Sequence, residues 1–76
     1  MVTKGVTLRG LEVFEALAAS GSVARAAELT GLSQPAVSQQ MKNLESALGV
    51  ELVDHARRPM QLTPAGRSFL ARTREV

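Results

Sequence analysis

The chain has 76 residues, with nine Lys and Arg against seven Asp and Glu, and it contains no cysteine. A chain of this length has room for one small hydrophobic core, so we expect a single domain. The lack of cysteine excludes a disulfide framework and a thiolate metal site. No apolar run approaches the roughly 20 residues of a membrane span, and the N-terminus lacks an apolar segment of signal-peptide length. We therefore expect a soluble, unexported, cytoplasmic protein.

Two helices are predicted in the first part of the chain. Thr7 is a suitable N-cap for the first, whose apolar residues recur at spacings of three and four up to Ala19. Its predicted inward residues are Leu8, Leu11, Phe14, Leu17 and Ala18. The chain then breaks at residues 20–22, and Ser22 can cap a second, short helix. The predicted inward residues of this helix are Val23, Ala26, Ala27 and Leu29.

A third helix is predicted from Gln34 to Leu48, followed by a glycine at position 49. Ser33 is a good N-cap, and Pro35 suits the first turn, where its missing N–H costs nothing. Just upstream, Gly31 can end the second helix in the left-handed conformation and let the chain turn sharply. Two short helices joined by such a turn form the helix-turn-helix pattern.

The predicted third helix has two different faces. One is an apolar stripe that requires a core, formed by Val37, Met41, Leu44 and Leu48. The other carries hydroxyl, amide and ammonium groups, and no carboxylate occurs anywhere from position 29 to position 44. Such a face suits a polyanion, because amides and hydroxyls at a helix N-terminus can read base edges and bind phosphate. Its residues are Pro35, Ser38, Gln39, Lys42 and Ser46.

The last third of the chain predicts a hairpin and a fourth helix. Residues 50–53 form a β-rich run, residues 54–59 a polar tip and residues 60–62 a returning strand. Thr63 and Pro64 then open a helix through Phe69 and Leu70. Residues 55–74 hold five arginines and no acid, as a nucleic-acid footprint would. The alternative is that the last three, Arg67, Arg72 and Arg74, only form a solvated face.

Several short motifs follow one another in a fixed order. They are Leu8-Arg9, Phe14, Gly21-Ser22, Ala26-Ala27, Ser33 to Ser38, Leu44-Glu45, Leu48-Gly49 and Leu62 to Gly66. In order and spacing they resemble the N-terminal DNA-binding domain of LysR-type transcriptional regulators, over nearly everything from position 8 to position 72. The resemblance implies a mainly α, winged helix-turn-helix fold with a three-helix core and a two-stranded wing. It also implies that the third helix enters the major groove of double-stranded DNA.

The resemblance further implies how the chain is organised. Residues 1–6 are a tail, residues 7–62 the winged helix-turn-helix domain and residues 63–76 the start of a linker helix. Through this helix two subunits would dimerise, with Phe69 and Leu70 in the contact, and a homodimer implies an interrupted palindromic operator. A small-molecule effector would act only through a C-terminal domain that is absent from this chain. No cofactor or metal is implied.

Individual residues take roles by the same resemblance. Base-facing positions of the family correspond to Gln34, Pro35, Ser38 and Gln39. Ser33 corresponds to a phosphate-contacting cap, and Arg9 and Arg58 to basic residues that approach the DNA backbone or minor groove. Lys42, the cation on the outward face of the third helix, and Arg57, in the basic wing, complete the predicted DNA-binding set.

Three departures from the family pattern have physical consequences. Gln39 stands where arginine is common, which predicts a different base preference. Val53 and His55 stand where the first wing strand usually carries a phenylalanine and then an arginine, so weaker packing and less charge are expected in the wing. Pro59 stands where a wing glycine is common, and it stiffens the tip and extends the residue before it.

Two other classes of function are possible for a small domain. An enzyme is not expected, because the only histidine, His55, follows Asp54 in a predicted strand, so that the two side chains point to opposite faces. A winged helix used as a protein-interaction module would require an exposed apolar or aromatic anchor. The only aromatic residues are Phe14 and Phe69, and the outward face of the third helix is polar, so the sequence favours DNA binding.

Overall fold

The computed structural model describes residues 6–57 and 59–73, which form four helices and one two-stranded antiparallel sheet. The helices are α1 (Leu8–Ser20), α2 (Val23–Thr30), α3 (Gln34–Leu48) and α4 (Pro64–Thr73), and the strands are β1 (Val53–Asp54) and β2 (Gln61–Leu62). This order confirms the predicted winged helix-turn-helix. Arg58 and Arg74, both assigned to the basic region from the sequence, lie outside the described residues. Within those two ranges, no helix is long and apolar enough to cross a membrane.

The first three helices begin where their caps predict, and α1 ends one residue later than predicted, at Ser20. Each begins after a hydroxyl side chain that accepts a hydrogen bond from the backbone N–H three residues later, at 3.0 to 3.2 Å: Thr7, Ser22 and Ser33. Each ends at a glycine whose φ lies between 70° and 76°: Gly21, Gly31 and Gly49. The turn at Gly31 needs this left-handed conformation because it redirects the chain within a few residues from α2 into α3.

The core lies where α1, α2 and α3 meet the segment that leads into the wing. Ten buried apolar side chains form it: Val13, Phe14, Leu17, Ala26, Ala27, Val37, Met41, Leu44, Leu52 and Val53. The small alanines of α2 allow its close approach to the neighbouring helices. The last two members come from the wing segment, so the wing is anchored in the core and is not an appended hairpin.

Two residues predicted to face inward are exposed, and the buried Val13 was not among the predicted inward residues. Leu8 is 74% exposed and Leu29 is 54% exposed, whereas Val13 is fully buried. At about 100° per residue, each spacing of three drifts around a helix by about 60°, so Leu8 lies about 120° away from Phe14. Leu29 lies about 110° from the centre of the face that contains Ala26 and Ala27. Both residues had therefore been assigned to the wrong side of their helices.

The wing strands are shorter than predicted and shifted along the chain. Val53 pairs with Leu62 and Asp54 pairs with Gln61, so position 54 belongs to the strand and not to the tip. The backbone of Leu52 has other partners, since its N–H donates to a side chain of α3 at 2.7 Å and its carbonyl accepts from the Thr63 N–H at 3.0 Å. Although the sequence predicts weak packing at position 53, this valine is only 1% exposed.

The fourth helix is held at its N-terminus and near its middle. Thr63 caps it by accepting from the Gly66 N–H at 2.9 Å, and its hydroxyl also donates to the Glu51 carbonyl at 2.6 Å. Further along, the Phe69 ring packs on the Phe14 ring with centroids 5.5 Å apart and planes tilted by 55°. These contacts position α4 beside α1.

Candidate nucleic-acid interface

The outward face of α3 is polar, exposed and free of carboxylates. Its apolar side is buried through Val37, Met41 and Leu44, and this burial fixes which side chains point to solvent. The exposed side chains are Gln34, Pro35, Ser38, Gln39, Lys42, Asn43 and Ser46. Six of these seven can donate hydrogen bonds, proline being the exception, and none carries a negative charge. The face therefore has the chemistry that a polyanion requires.

The N-terminus of α3 combines a hydroxyl cap with a first turn that lacks acidic residues. Ser33 Oγ accepts from the Ala36 N–H at 3.2 Å. A hydroxyl can accept and donate at the same time, so Ser33 can cap the helix and still donate to a phosphate. Gln34 and Pro35 are exposed beside it, at the end of the helix where the macrodipole favours an anion.

Gln39 is held by a neighbour that the sequence analysis did not single out. Its Nε2 donates to Asn43 Oδ1 at 2.9 Å, and both side chains are exposed. The bond uses one of the two amide hydrogens and leaves the other hydrogen and the carbonyl oxygen for a ligand. Amide pairs four residues apart on a helix are a recognised stabilising pattern, so this signal was present in the sequence.

Arg9 lies next to the turn of the helix-turn-helix. Its Nη1 is 3.5 Å from the carbonyl oxygen of Thr30, the last residue of α2, and 4.0 Å from Glu12 Oε1. The side chains of Arg9 and Glu12 are 51% and 55% exposed, and an ion pair of this kind is weak in water. Arg9 is therefore positioned beside the turn between α2 and α3 and keeps donors for a phosphate.

The charge of the wing is partly compensated within the wing. Arg57 Nε donates to Asp54 Oδ2 at 3.1 Å, and the side chain of Arg57 is 63% exposed. The sequence places both residues in one polar tip without revealing this pair. Arg58, the other predicted phosphate contact of the wing, lies outside the described residues.

Glu45 joins α3 to the wing, a role that the sequence analysis missed. Its Oε2 accepts from the Leu52 N–H at 2.7 Å and from the Val53 N–H at 3.2 Å. Its Oε1 lies 3.1 Å from His55 Nε2, and its side chain is only 11% exposed. A glutamate on a helix is ordinarily solvated, and its partners here become adjacent only in the folded chain. The carboxylate fixes the wing relative to α3.

A groove connects three elements on one side of the molecule. It has a volume of about 490 Å³ and is lined by Ser22 at the start of α2, Ser38 of α3 and His55 of the wing, among other residues. The predicted base-facing helix and the wing thus share one surface. Within the described ranges, no group of three or more His, Asp or Glu could hold a metal ion.

The predicted dimer residues are packed within the chain. Phe69 and Leu70 are half-buried, and both pack against the core. Beside them, Leu8, Leu11, Phe69 and Arg72 line a mostly apolar groove of about 510 Å³ between α1 and α4. No residue of the α3 face takes part in this groove.

Comparison with known proteins places this fold in one family. Residues 8–67 match the family described as bacterial regulatory helix-turn-helix protein, lysR family. Among curated relatives, the HTH-type transcriptional activator CmpR of Synechocystis sp. is 45% identical over 73 residues, which are 96% of this chain and 24% of that protein. The RuBisCO operon transcriptional regulator of Allochromatium vinosum is 45% identical over 71 residues, 93% of this chain and 24% of that protein. The chain spans about a quarter of the length of these relatives.

Two solved structures of DNA complexes superpose closely on this chain. Vibrio fischeri DarR in complex with DNA superposes with a TM-score of 0.88 at 40% identity, over 92% of this chain and 24% of that chain. The complex of the CbnR DNA-binding domain with DNA superposes with a TM-score of 0.86 at 40% identity, over 92% of this chain and 80% of that chain.

Proposed function

Because the chain belongs to the LysR family of bacterial regulatory helix-turn-helix proteins, we propose that it binds double-stranded DNA sequence-specifically with α3 in the major groove. The observation that carries this proposal is the exposed, acid-free face of α3, backed by a stripe of buried apolar side chains. An α-helix fits the major groove, where each base pair presents a distinct set of donors and acceptors. The two similar structures that contain DNA support the same conclusion.

The side chains of α3 divide into two roles in this proposal. Gln34, Ser38 and Gln39, with Pro35 beside them, face the base edges, because amides and hydroxyls can both donate to and accept from bases. Ser33 and Lys42 bind phosphates, the first at the helix N-terminus and the second through its charge. Phosphate contacts set the orientation of the helix, and base contacts set the sequence that it prefers.

The residues outside α3 contact the backbone or the minor groove. Arg9 lies beside the turn that leads into α3, 3.5 Å from the Thr30 carbonyl oxygen, so it can reach a phosphate flanking the major groove. The wing contributes Arg57 and Arg58. Because Arg57 is paired with Asp54 at 3.1 Å, its contribution requires exchange of that partner for a phosphate.

The chain would act as a homodimer through α4, with Phe69 and Leu70 near the contact. The apolar groove between α1 and α4 supports this proposal, because Leu8 beside it is 74% exposed. Two copies of α3 related by a two-fold axis would occupy successive major grooves, about 34 to 36 Å apart. The operator would then be an interrupted palindrome, bound in the cytoplasm, and a small-molecule effector would act through a separate C-terminal domain.

Leu8 offers a cleaner test of dimerisation than Phe69, whose ring packs on Phe14 and therefore also stabilises the fold. Changing Leu8 to Ser should weaken self-association, measured by sedimentation, while the thermal midpoint stays unchanged. Leu29→Ser is the matched control, because Leu29 is also exposed but lies on α2, away from the groove. Equal effects of the two changes would contradict the proposed interface.

Titration of a labelled random duplex tests DNA binding itself. The chain should bind, and its affinity should fall steeply between about 50 mM and about 200 mM salt because bound phosphates release counterions. A winged helix that serves as a protein-interaction module would show no such salt-dependent binding. That alternative has little support at α3, since the exposed large apolar residues of the described ranges are Leu8, Leu29 and Val50, none of them on that helix.

A further inference from the structure

We propose that DNA binding by this chain is coupled to protonation of His55, the wing residue that Glu45 holds against α3. The inference rests on the proposed function, because it concerns the form of the domain that binds DNA best. It makes His55 a residue of the DNA-binding surface in addition to the residues of α3. It also predicts that the affinity for DNA rises as pH falls.

Backbone hydrogen bonds hold the Glu45 carboxylate in place, whereas His55 lies at the surface. Glu45 Oε2 is bound by the backbone N–H groups of Leu52 at 2.7 Å and Val53 at 3.2 Å, so the carboxylate cannot swing away without losing both bonds. Its other oxygen lies 3.1 Å from His55 Nε2. The Glu45 side chain is 11% exposed and the His55 side chain 51% exposed. The imidazole therefore lies over a carboxylate that is largely shielded from solvent, and it faces the solvent itself.

His55 also lies on the side of the molecule that would face DNA. It lines the groove of about 490 Å³ together with Ser38, one of the proposed base-facing residues of α3, and Ser22 at the start of α2. The two serines are uncharged, so the local charge depends on other groups. The charge of a phosphate near this groove would interact electrostatically with the Glu45 and His55 pair.

Several charged groups lie near His55 on α3 and in the wing. From α3, Glu45 faces it, and Lys42 lies one helical turn before Glu45. From the wing itself, Asp54 and Arg57 are paired with each other at 3.1 Å, and Arg58 follows outside the described residues. When the imidazole is neutral, the Glu45 and His55 pair carries one negative charge near the phosphates. When the imidazole is protonated, the pair is neutral.

The direction of the coupling follows from linkage. A polyanion binds more tightly to the form of the domain that carries less negative charge, so DNA binding favours uptake of a proton by His55. The affinity for DNA should therefore rise as the pH is lowered from about 8 to about 5. His55 is the only histidine of the chain, so no other imidazole contributes to this pH dependence.

Two variants make the test specific. His55→Gln keeps a donor toward Glu45 but carries no charge at any pH, and His55→Arg carries a charge at every pH. Affinity of the wild-type chain and of both variants for one random duplex would be measured at about pH 6 and about pH 8, at two fixed salt concentrations. Thermal melts at both pH values check that each variant is folded. The pH dependence of DNA affinity in each variant is compared separately with that of the wild type. One folded variant is therefore sufficient for the test.

The expected result is a pH dependence that only the wild type shows. Its affinity should fall about threefold to tenfold from pH 6 to pH 8, and its salt slope should fall by up to about one unit, as expected for one cation. His55→Arg should bind with high affinity and His55→Gln with low affinity at both pH values. Equal pH dependence in all three chains would overturn the coupling while leaving the proposed function standing. If none bound DNA at either pH, the proposed function itself would fail.

Discussion

Gly66, in the first turn of α4, lies directly against the carbonyl group of Leu52. A Cβ atom added at Gly66 would overlap the Leu52 oxygen and come within 2.9 Å of the Leu52 carbonyl carbon. The same oxygen accepts a hydrogen bond from the Thr63 N–H at 3.0 Å, so it cannot move away freely. The contact lets α4 approach the segment that leads into the wing, and this contact explains why a glycine occurs inside a helix.

Changing Gly66 to Ala should destabilise the domain. In an unconstrained helix the same change stabilises by about 0.5 to 1 kcal/mol, whereas here the overlap with backbone should cost about 1 to 3 kcal/mol. Urea unfolding monitored by circular dichroism would measure the difference. Ser68→Ala, at an exposed position two residues later in α4, is the control and should change stability little. A gain in stability for Gly66→Ala would contradict the packing described.

Gly31 gives a second prediction, in which strain arises from the backbone alone. Its φ is 76°, and a Cβ added there would meet nothing within 4 Å. Replacement by Val should therefore cost on the order of 1 to 3 kcal/mol through the left-handed conformation, and Gly31→Asn should cost less because asparagine tolerates it. Thermal melts would decide, and equal midpoints for Gly31→Val and the wild type would show that the turn into α3 is wrongly placed.

Glu45 should matter for stability through the two N–H groups that it satisfies. Glu45→Ala would leave the N–H groups of Leu52 and Val53, both in buried residues, without this acceptor, at a cost of about 1 to 3 kcal/mol for each group left unpaired. Glu45→Gln keeps an acceptor oxygen, so its loss should be smaller. The free energy of unfolding of the two variants separates these roles. If Gln and Ala at this position were equally destabilising, hydrogen bonding to the wing backbone would not be the cause.

Lys42 should act on phosphate without regard to sequence. Lys42→Ala should weaken binding to specific and random duplexes alike and reduce the salt slope by about one unit. Arg58→Ala should have the same effect if the wing contacts the backbone. Lys42→Arg keeps the charge and should retain the slope. Loss of specific binding alone would instead make Lys42 a base contact.

The helix boundaries could be predicted from the sequence because caps are local. Ser22 and Ser33 each bond to an N–H only three residues away, and the glycine that ends each helix needs no distant partner. Spacing of apolar residues was less reliable, as the exposed Leu8 and Leu29 demonstrate. Both residues match a spacing of three or four but lie off the buried face.

The contacts that build the site from separate elements could not be predicted. Glu45 and His55 are ten residues apart, and Gly66 and Leu52 fourteen, so neither pair has a local signature. The outward face of α3 was predictable, because burial of its apolar stripe determines which side chains remain exposed. The pairing of Arg57 with Asp54 depends on the conformation of the wing tip, which composition does not determine.

Sequence-specific binding by α3 depends on Gln39 reading a base edge. Glutamine pairs with adenine and arginine with guanine, each contact being worth about 1 to 3 kcal/mol of discrimination. The Gln39 amide is exposed on α3 and oriented by Asn43 at 2.9 Å. Binding sites would be selected from random duplexes with the wild type and with Gln39→Arg at one salt concentration. If Gln39 reads a base, the preferred base at one position of each half-site moves toward guanine in the variant. Identical base preferences at every position would show that Gln39 reads no base.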